Sequence, residues 1–433
     1  MQNQSINISK NWAPRFFAVW GGQAFSLFGS ALVQFALVWY LARETGSATV
    51  LAMATLVSLL PNIFLGPFIG ALVDRWNRRL IMIVADSSIA ASTLGLVWLF
   101  ATGRVEVWHV YVILIIRALG SAFHQPAMTS STSLMVPNKH LARISGANQT
   151  LQGLITIFAP PLGALLIEAI STHNVLLIDV GTAALAVLPL LFIPIPQPIR
   201  QPQPDGQAQR PSYWQDLGAG FTYVRNWRGL LGLIILTMAL NFVLSPAAAL
   251  LPLVVTKVFE KGALELGWVQ SLLGVGIIAG GITLGVWGGF KRRIVTSLMG
   301  ILGIGIGILL IGIVPTGLFP LLLVTMFLTG FAQVFANGPL GAIMQSAIAP
   351  EMQGRVFSLL RAGATAMMPL SLLISGPVSD YLGIRVWFIF GGVATILMAI
   401  AASFISAIMN IESNRGQTGQ EEPSSTASAV PVE

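Results

Sequence analysis

The sequence predicts an all-α membrane protein with twelve transmembrane helices in two pseudo-symmetric halves of six. Hydrophobic residues make up 55% of the 433 residues and charged residues only 9%, whereas about a quarter of the residues of a soluble domain are charged. Apolar runs long enough to cross a bilayer as a helix, about 20 residues each, recur along nearly the whole chain. The basic turn Arg78-Arg79 after the second run is matched by Lys291-Arg292-Arg293 after the eighth, which indicates a repeat of six spans.

Charged and turn-forming residues set the limits of the twelve runs. The first half contains the runs 16–42, 48–73, 80–100, 108–129, 144–167 and 175–195. The second half contains 230–255, 266–287, 294–314, 318–343, 356–378 and 386–409. The predicted organisation is an N-terminal tail (1–15), a first half (16–195), a linker (196–229), a second half (230–409) and a C-terminal tail (410–433).

The linker begins with a Pro- and Gln-rich stretch that has little to bury and is expected to stay extended. Its second part places Trp214, Leu217, Phe221 and Val224 on one helical face. That face fits a helix lying at the membrane surface, or equally an N-terminal extension of the next span. The acidic, Ser-rich C-terminal tail is expected to be disordered.

Lysines and arginines are concentrated on one side of the predicted bundle. Seventeen of the 23 lie on the side that carries the termini and the linker, and five lie in the opposite loops. Positively charged loops resist translocation across the membrane. We therefore expect a multi-pass protein of the plasma (inner) membrane, with both termini in the cytosol, that acts as a monomer in the lipid bilayer.

The composition argues against several other classes of protein. The chain has no cysteine and four scattered histidines, so we expect no disulfide and no metal site. It has no phosphate-cradling Gly-x-x-x-x-Gly-Lys-Ser/Thr loop, so we expect no nucleotide and no other cofactor. The basic residues line short loops, which argues against nucleic acid. A membrane enzyme would need clustered acid, base or metal groups at one depth, and the spans carry only isolated charges, so we expect no catalytic residues.

The most charged link between two spans has the order Gly-x-x-x-Asp-Arg-x-x-Arg-Arg, from Gly70 to Arg79. A glycine permits close approach of helices, and a carboxylate near a helix N-terminus is stabilised by about 0.3–1 kcal/mol, a contact that can be broken and remade. This pattern indicates a movable gate at the cytosolic side, formed by Gly70, Asp74, Arg75, Arg78 and Arg79. The alternative is that the arginines only enforce topology.

This loop resembles the signature loop of the major facilitator superfamily, with Asn77 where that family usually has glycine. The resemblance implies twelve helices in two parallel repeats around a central site that opens alternately to either side of the membrane. It also implies that Asp74 meets a helix end of the opposite half and holds the cytosolic side closed.

Further segments are similar to the macrolide-efflux branch of that superfamily. They are Trp20, Gln23, Ser26 and Ser30, Thr45-Gly46-Ser47, and the segments 81–86, 116–117, 122–127, 178–180 and 354–359. The resemblance implies an antiporter that exports a macrolide-like amphipathic drug in exchange for protons. The branch is also similar to exporters of other drugs and of siderophores.

In the first half, three charged residues lie inside predicted spans. Arg117 is midway along span four, where a charge costs about 2.5–3.5 kcal/mol on insertion scales, so we expect it to face the bundle interior beside Asp86 or Asp179. Family resemblance implies a role in proton coupling for such an arginine, and the alternative is a purely structural ion pair. Asp179 is a candidate proton acceptor or a carboxylate that reaches the outer surface. Asp86 lies nearer the cytosol, where support of the gate arginines is favoured over proton carriage.

Span five contains Ala159-Pro160-Pro161-Leu162-Gly163, which partly resembles the antiporter signature Gly-Pro-x-x-Gly-Gly. Pro160 bends the helix and Gly163 permits close packing, and both would help to seal a pathway between spans. In span eleven Ser375-Gly376-Pro377 and Asp380 provide a comparable kink, or an ordinary helix bend. Alanines replace two glycines of the signature, which favours a facilitator or importer without proton coupling as an alternative.

Candidate substrate contacts are polar residues within otherwise apolar spans. They are Gln23, Gln34, Asn241, Gln333 and Asn337. The function we expect is secondary active efflux of a small amphipathic molecule, macrolide-like, by proton antiport with alternating access. The alternative cargo is a siderophore, a lipid-like metabolite or another class of drug.

Overall fold

The computed structural model describes residues 11–197 and 213–412. Within the helices, the side chains of residues 67, 71, 74, 213–217 and 219 lie outside this description. The predictions for most of the N-terminal tail, for the Pro- and Gln-rich start of the linker and for nearly all of the C-terminal tail therefore fall outside the described residues.

Every regular element in these two ranges is helical. The helices are α1 Trp12–Thr45, α2 Ala48–Arg75, α3 Arg78–Ala101, α4 Val107–Met135, α5 Asn138–Phe192, α6 Tyr213–Asn226, α7 Arg228–Leu253, α8 Ala263–Trp287, α9 Arg293–Ile313, α10 Phe319–Ala347, α11 Pro350–Leu382, α12 Ile384–Phe404 and α13 Ser406–Met409. A π-helical turn, Val254–Val258, extends α7. The short helix α6 occupies the second part of the predicted linker.

Within the described ranges, eleven helices are long and apolar enough to cross a membrane. One of them, α5, has 55 residues. An uninterrupted helix of that length would be about 80 Å long at 1.5 Å per residue, whereas the hydrocarbon core is about 30 Å thick. Ser171 interrupts it with φ 67° and ψ 157°, so α5 makes two crossings, a first arm (138–170) and a second arm (172–192). The eleven helices thus provide the twelve crossings that the apolar runs predict. A loop predicted between spans five and six is reduced to this single break.

The alternation of the helices gives the bundle two ends. The near end is where α1 begins at Trp12 and α2 ends at Arg75, and the far end is where α1 ends at Thr45 and α2 begins at Ala48. Sequence sets both turns: Gly46 ends α1 with φ 54°, a conformation that favours glycine, and the Ser47 side chain accepts a hydrogen bond from the Val50 amide to start α2.

The helices pack in two groups that meet along two seams. In the first group α1 packs on α5, α3 on α4 and α5, and α2 on α4. In the second group α7 packs on α11 and α12, and α10 and α12 pack on α9. The seams between the groups are formed by α2 with α11 and by α5 with α8.

The hydrophobic core is continuous at the far end and divided at the near end. One far-end cluster joins residues of both groups, among them Leu41, Leu51, Leu250 and Leu266. At the near end, one cluster around Phe16 and Met82 belongs to the first group, and separate clusters belong to the second group. Because close packing of side chains holds membrane helices together, the two halves are joined at the far end and separate at the near end.

Candidate functional site

A cavity of about 540 Å³ lies between the two groups, within the size range of sites for drug-sized ligands. Its walls are mostly apolar, with contributions from Phe35, Leu251 and Phe388. The polar groups that reach it are Gln34, Thr156, Gln270, Thr329 and Gln333. We call it the central cavity, and its composition suits an amphipathic molecule with few hydrogen-bonding groups.

The five predicted substrate residues occupy different places. Gln34 and Gln333 line the central cavity. Gln23 is buried nearer the near end and lines a second cavity. Asn241 donates a hydrogen bond to the Thr237 carbonyl 2.9 Å away and does not line the central cavity. Asn337 is exposed one turn beyond Gln333 and likewise lies outside it.

Arg117 of α4 and Asp179 of the second arm of α5 form a buried ion pair. Arg117 Nη1 lies 2.5 Å from Asp179 Oδ2, and the two residues are 7% and 1% exposed. The hydroxyls of Ser30 and Thr93 donate to the same carboxylate at 2.9 and 3.2 Å. These three donors stabilise an ionised carboxylate. Of the two partners expected for Arg117, the structure therefore pairs it with Asp179.

The ion pair borders a smaller cavity of about 330 Å³ whose lining includes Arg117, Ser58 and Asn62. We call it the arginine cavity. Ala31 and Gln34 line both this cavity and the central cavity. The charged pair is thus separated from the central cavity by one turn of α1.

A third cavity, of about 480 Å³, lies nearer the near end than the central cavity. It is lined by α1, α4 and the first arm of α5, and Leu27 and Gln152 on its walls lie one turn before Ala31 and Thr156 of the central cavity. We call it the near-end cavity. Trp20 Nε1 donates to Asn148 Oδ1 across its wall at 2.7 Å.

Asp86 lies behind the wall of the near-end cavity and is 5% exposed. Its Oδ2 accepts a hydrogen bond from Gln23 Nε2 at 3.0 Å, and its Oδ1 lies 3.6 Å from His124 Nε2. His124 Nε2 is also 2.7 Å from Gln23 Oε1. The polar partners of Asp86 in the described part of the chain thus lie on α1 and α4, and none is a gate arginine, which it was expected to support.

The far end is closed by a carboxylate that joins the two groups. Asp380, at the end of α11, accepts from the amides of Ala48 and Thr49 at 2.6 and 3.0 Å and from the Ser47 hydroxyl at 2.8 Å. It therefore caps the N-terminus of α2, where a negative charge is stabilised by the helix dipole. A Cβ added at Gly376 would lie 2.8 Å from Thr49 Cα, so α11 and α2 are in backbone contact here.

The α5–α8 seam is closed at the same end by the proline pair of span five. A Cβ added at Gly267 of α8 would lie 2.7 Å from Pro161 Cα and 3.1 Å from the Pro160 carbonyl oxygen. Ser271 donates to the Ile157 carbonyl at 2.6 Å. Gly163 faces α1 instead, where an added Cβ would lie 3.0 Å from Phe35.

The predicted gate loop lies at the near end, and the contacts described for Asn77 and Arg79 are within the first group. Asn77 starts α3 by accepting from the Arg79 and Leu80 amides. The Arg79 guanidinium donates to the carbonyls of Leu190 and Leu191, the latter at 2.6 Å, and so binds the end of α5. A Cβ added at Gly70 would meet nothing within 4 Å. The Asp74 side chain lies outside the described part of the structure; Arg75 is exposed and Arg78 is buried.

Sequence reasoning missed two residues of this arrangement. His124 appeared only within a segment similar to the macrolide-efflux branch, although its position seven residues after Arg117 places both on one face of α4. Asp380 was assigned only to a helix kink. Ser47, a typical N-cap residue after Gly46, signals a helix start at the far end, but nothing in the sequence connects that start to position 380.

Comparison with known proteins decides the family. The model for the Major Facilitator Superfamily matches residues 19–262 and 233–430. The chain belongs to the major facilitator superfamily. It is 34% identical over 402 residues to macrolide efflux protein A of Streptococcus pyogenes, covering 93% of this chain and 98% of that protein, so it lies in the macrolide-efflux branch.

Other similarities agree with this. The chain is 25% identical to multidrug efflux pump Tap of Mycobacterium bovis, covering 87% of this chain and 90% of the pump. A structure of a variant of the nucleoside transporter NupG has a TM-score of 0.70 at 14% identity, covering 90% of this chain and 98% of that one. The prediction of an all-α membrane fold of this superfamily is confirmed. The chain is a multi-pass efflux transporter of the cell membrane that acts on small molecules, and not an enzyme.

Proposed function

We propose that this transporter exports a macrolide-like amphipathic drug through the central cavity, in exchange for protons, by alternating access. The observation that carries the proposal is the buried Arg117–Asp179 pair, which is one turn of α1 from the central cavity. A charge inside a membrane bundle is costly and typically marks an ion or proton pathway. The alternative is a purely structural ion pair, and transport by Asp179→Asn distinguishes the two.

The proton step follows from the donors around Asp179. In the described conformation the carboxylate is ionised, because Arg117, Ser30 and Thr93 all donate to it. A proton on Asp179 would neutralise it and leave the guanidinium buried without its counter-charge. Removing one partner of a buried pair costs about 3–5 kcal/mol, so protonation favours a rearrangement in which Arg117 finds new partners. We infer that Asp179 takes up its proton in the far-open state and releases it when the Arg117–Asp179 pair re-forms in the described state.

The two ends of the bundle support alternating access. The Asp380 cap and the Gly267–Pro161 contact close the far end, while the near end has separate cores and a cavity that leads inward. With both termini in the cytosol, as the positive-inside count predicts, this is the cytosol-open state. Asp74 closes the cytosolic side in the opposite state, in which Gly70 would come into helix contact.

The cargo is proposed from chemistry and similarity together. The central cavity offers aromatic and aliphatic walls with a few amide and hydroxyl groups, and the branch relative is a macrolide efflux protein. Another class of drug is the second candidate, because the chain is also similar to a multidrug efflux pump. One elementary charge moved through 100 mV provides about 2.3 kcal/mol, enough for a concentration ratio of about fifty.

Resistance profiling tests the cargo and the coupling. The full chain is expressed in a pump-deficient bacterium, and resistance is measured across macrolides, tetracyclines and siderophore export, with and without a protonophore. We expect increased macrolide resistance and macrolide efflux that the protonophore abolishes. No shift for any macrolide would exclude this cargo, and efflux insensitive to the protonophore would favour an uncoupled facilitator.

A further inference from the structure

Buried polar side chains that hydrogen-bond to one another between helices form two layers inside the first group. The far layer is the Arg117–Asp179 pair with Ser30 and Thr93, and the near layer contains Gln23, Asp86 and His124. On α1, α3 and α4 alike, the residue of one layer is seven positions from that of the other. Seven residues are two helical turns, about 10 Å along the axis. The near layer is thus a separate group of residues, two helical turns closer to the near end than the Arg117–Asp179 pair.

Hydrogen bonding in the near layer fixes the state of the imidazole. Gln23 donates its amide NH₂ to Asp86, so its carbonyl oxygen is the acceptor for His124 Nε2. His124 Nε2 therefore carries a proton. The other ring nitrogen, Nδ1, makes no hydrogen bond to any residue the structure describes, so in the neutral ring it can accept a second proton. The resulting imidazolium would face Asp86 Oδ1, 3.6 Å away.

The near layer is also reached from the near-end cavity. Gln23 and His124 line that cavity, whereas Asp86 lies behind them. Among the lining residues in the described part of the chain, His124 is the one titratable group; the others are apolar or neutral polar. An imidazole changes charge near neutral pH more readily than any other ordinary side chain. A group that can accept a proton, a carboxylate to stabilise it and a cavity that reaches the imidazole therefore meet at one place.

Other charged groups lie farther away. On α3, Arg78 and Arg79 are two turns before Asp86, and Arg79 binds the end of α5. α1 presents the neutral Trp20 and Gln23, and the first arm of α5 presents neutral Asn148 and Gln152. In the described near-end parts of the flanking helices, the remaining charged or imidazole groups are Arg15 of α1, Arg75 of α2, and Lys139, His140 and Arg143 of α5. Arg117 and Asp179 belong to the far layer.

We propose that His124, with Asp86 behind it and Gln23 orienting it, is a second proton-binding site, at which a proton exchanges between the transporter and the near-end cavity. This proposal rests on the proposed proton antiport and adds a cytosol-facing proton site to that mechanism. In the cytosol-open state His124 receives the proton that leaves Asp179 and releases it from Nδ1 to the cavity. Acidifying the cytosol keeps His124 protonated, and this slows export.

The test uses the full chain in everted membrane vesicles, in which the buffer pH sets the pH at the cytosolic face. Macrolide uptake is measured between about pH 5.5 and pH 8, the range in which imidazoles titrate, for the wild type, His124→Gln and His140→Gln. Glutamine can still hydrogen-bond to Gln23 but cannot titrate. His140, which stacks on Trp12 outside the cavity, is the matched control.

We expect macrolide uptake by the wild type and by His140→Gln to slow by about tenfold as the buffer is acidified across this range, because the imidazole is the side chain whose charge ordinarily changes there. His124→Gln should lose that dependence and most of its gradient-driven transport. Macrolide counterflow in proteoliposomes without a pH gradient needs no net proton movement, so His124→Gln should keep it within about twofold of wild type. Asp86→Asn should resemble His124→Gln in both assays.

The outcomes separate this proposal from the one on which it rests. If wild-type uptake is insensitive to a protonophore, proton antiport itself fails. If wild-type uptake is sensitive but His124→Gln keeps the wild-type pH profile, the second site is wrong while antiport stands. Loss of counterflow together with gradient-driven transport in both variants would give the near layer a structural role only and would overturn the proposal.

Discussion

Replacing Asp380 by asparagine should shift the balance between the two access states. The asparagine side chain would retain one acceptor oxygen but lose the negative charge and one of the contacts to the Ala48 and Thr49 amides. A carboxylate at a helix N-terminus contributes about 0.3–1 kcal/mol at an exposed site, and a hydrogen bond to a charged group about 1.5–3 kcal/mol before screening. Asp380 is exposed, and solvent screening reduces both. We expect a net shift of about 1 kcal/mol, a change of about fivefold in the ratio of states.

Distances between spin labels measure this ratio directly. The chain has no cysteine, so introduced cysteines are the sole labelling sites. Arg104→Cys with Gly317→Cys reports the far end, and Lys139→Cys with Lys291→Cys reports the near end. Asp380→Asn should increase the population with a long far-end distance about fivefold and decrease the population with a long near-end distance.

Glu106→Gln is the matched control. Glu106 is the N-cap residue of α4 at the same end of the bundle and receives a hydrogen bond from Trp108, but it makes no hydrogen bond to the second group within the residues that the structure describes. Its replacement should leave both distance distributions unchanged. If Asp380→Asn also leaves both distance distributions unchanged, the cap does not close the far end. The same conclusion follows if Glu106→Gln shifts the distributions as much as Asp380→Asn does.

Four other variants test separate parts of the arrangement. Asp179→Asn should abolish gradient-driven efflux and lower thermal stability, since it leaves Arg117 without its counter-charge at a cost of about 3–5 kcal/mol; unchanged efflux in vesicles would exclude a role in coupling. Gly267→Ala should cost about 1–3 kcal/mol in the far-closed state through overpacking and so raise the far-open population measured by spin labels. Gln34→Leu should change the resistance to some drugs relative to others, with a smaller effect on the amount of protein expressed. Resistance profiling with quantified protein would show this. Arg79→Gln should lower the melting temperature, because α5 loses two hydrogen bonds at its end, without changing the label distances.

The fold was readable from the sequence because each span is a local feature. Twenty apolar residues bounded by charges make a transmembrane helix wherever they lie, and the positive-inside bias gives the orientation we expect. The break at Ser171 was placed in the right segment, but its form was not predicted. A single residue with positive φ reverses the chain there, and serine carries no strong signal for that conformation.

The candidate site was only partly readable, because its contacts join residues far apart in sequence. A buried arginine predicts a carboxylate partner, and the choice between Asp86 and Asp179 needed the structure. The Asp380 cap joins residues more than 330 positions apart, and one carboxylate at a helix end is no more prominent than any other. His124 needed Gln23 and Asp86 from two other helices before it could be distinguished from an ordinary core histidine.

Simultaneous measurement of drug and proton movement tests proton-coupled export most directly. The full chain is reconstituted into liposomes that contain a pH-sensitive dye, and a macrolide gradient is imposed without any initial pH gradient. We predict that macrolide moving in one direction drives protons in the other, and that Asp179→Asn removes the proton movement. Macrolide transport with no opposing proton movement in the wild type would contradict proton-coupled export.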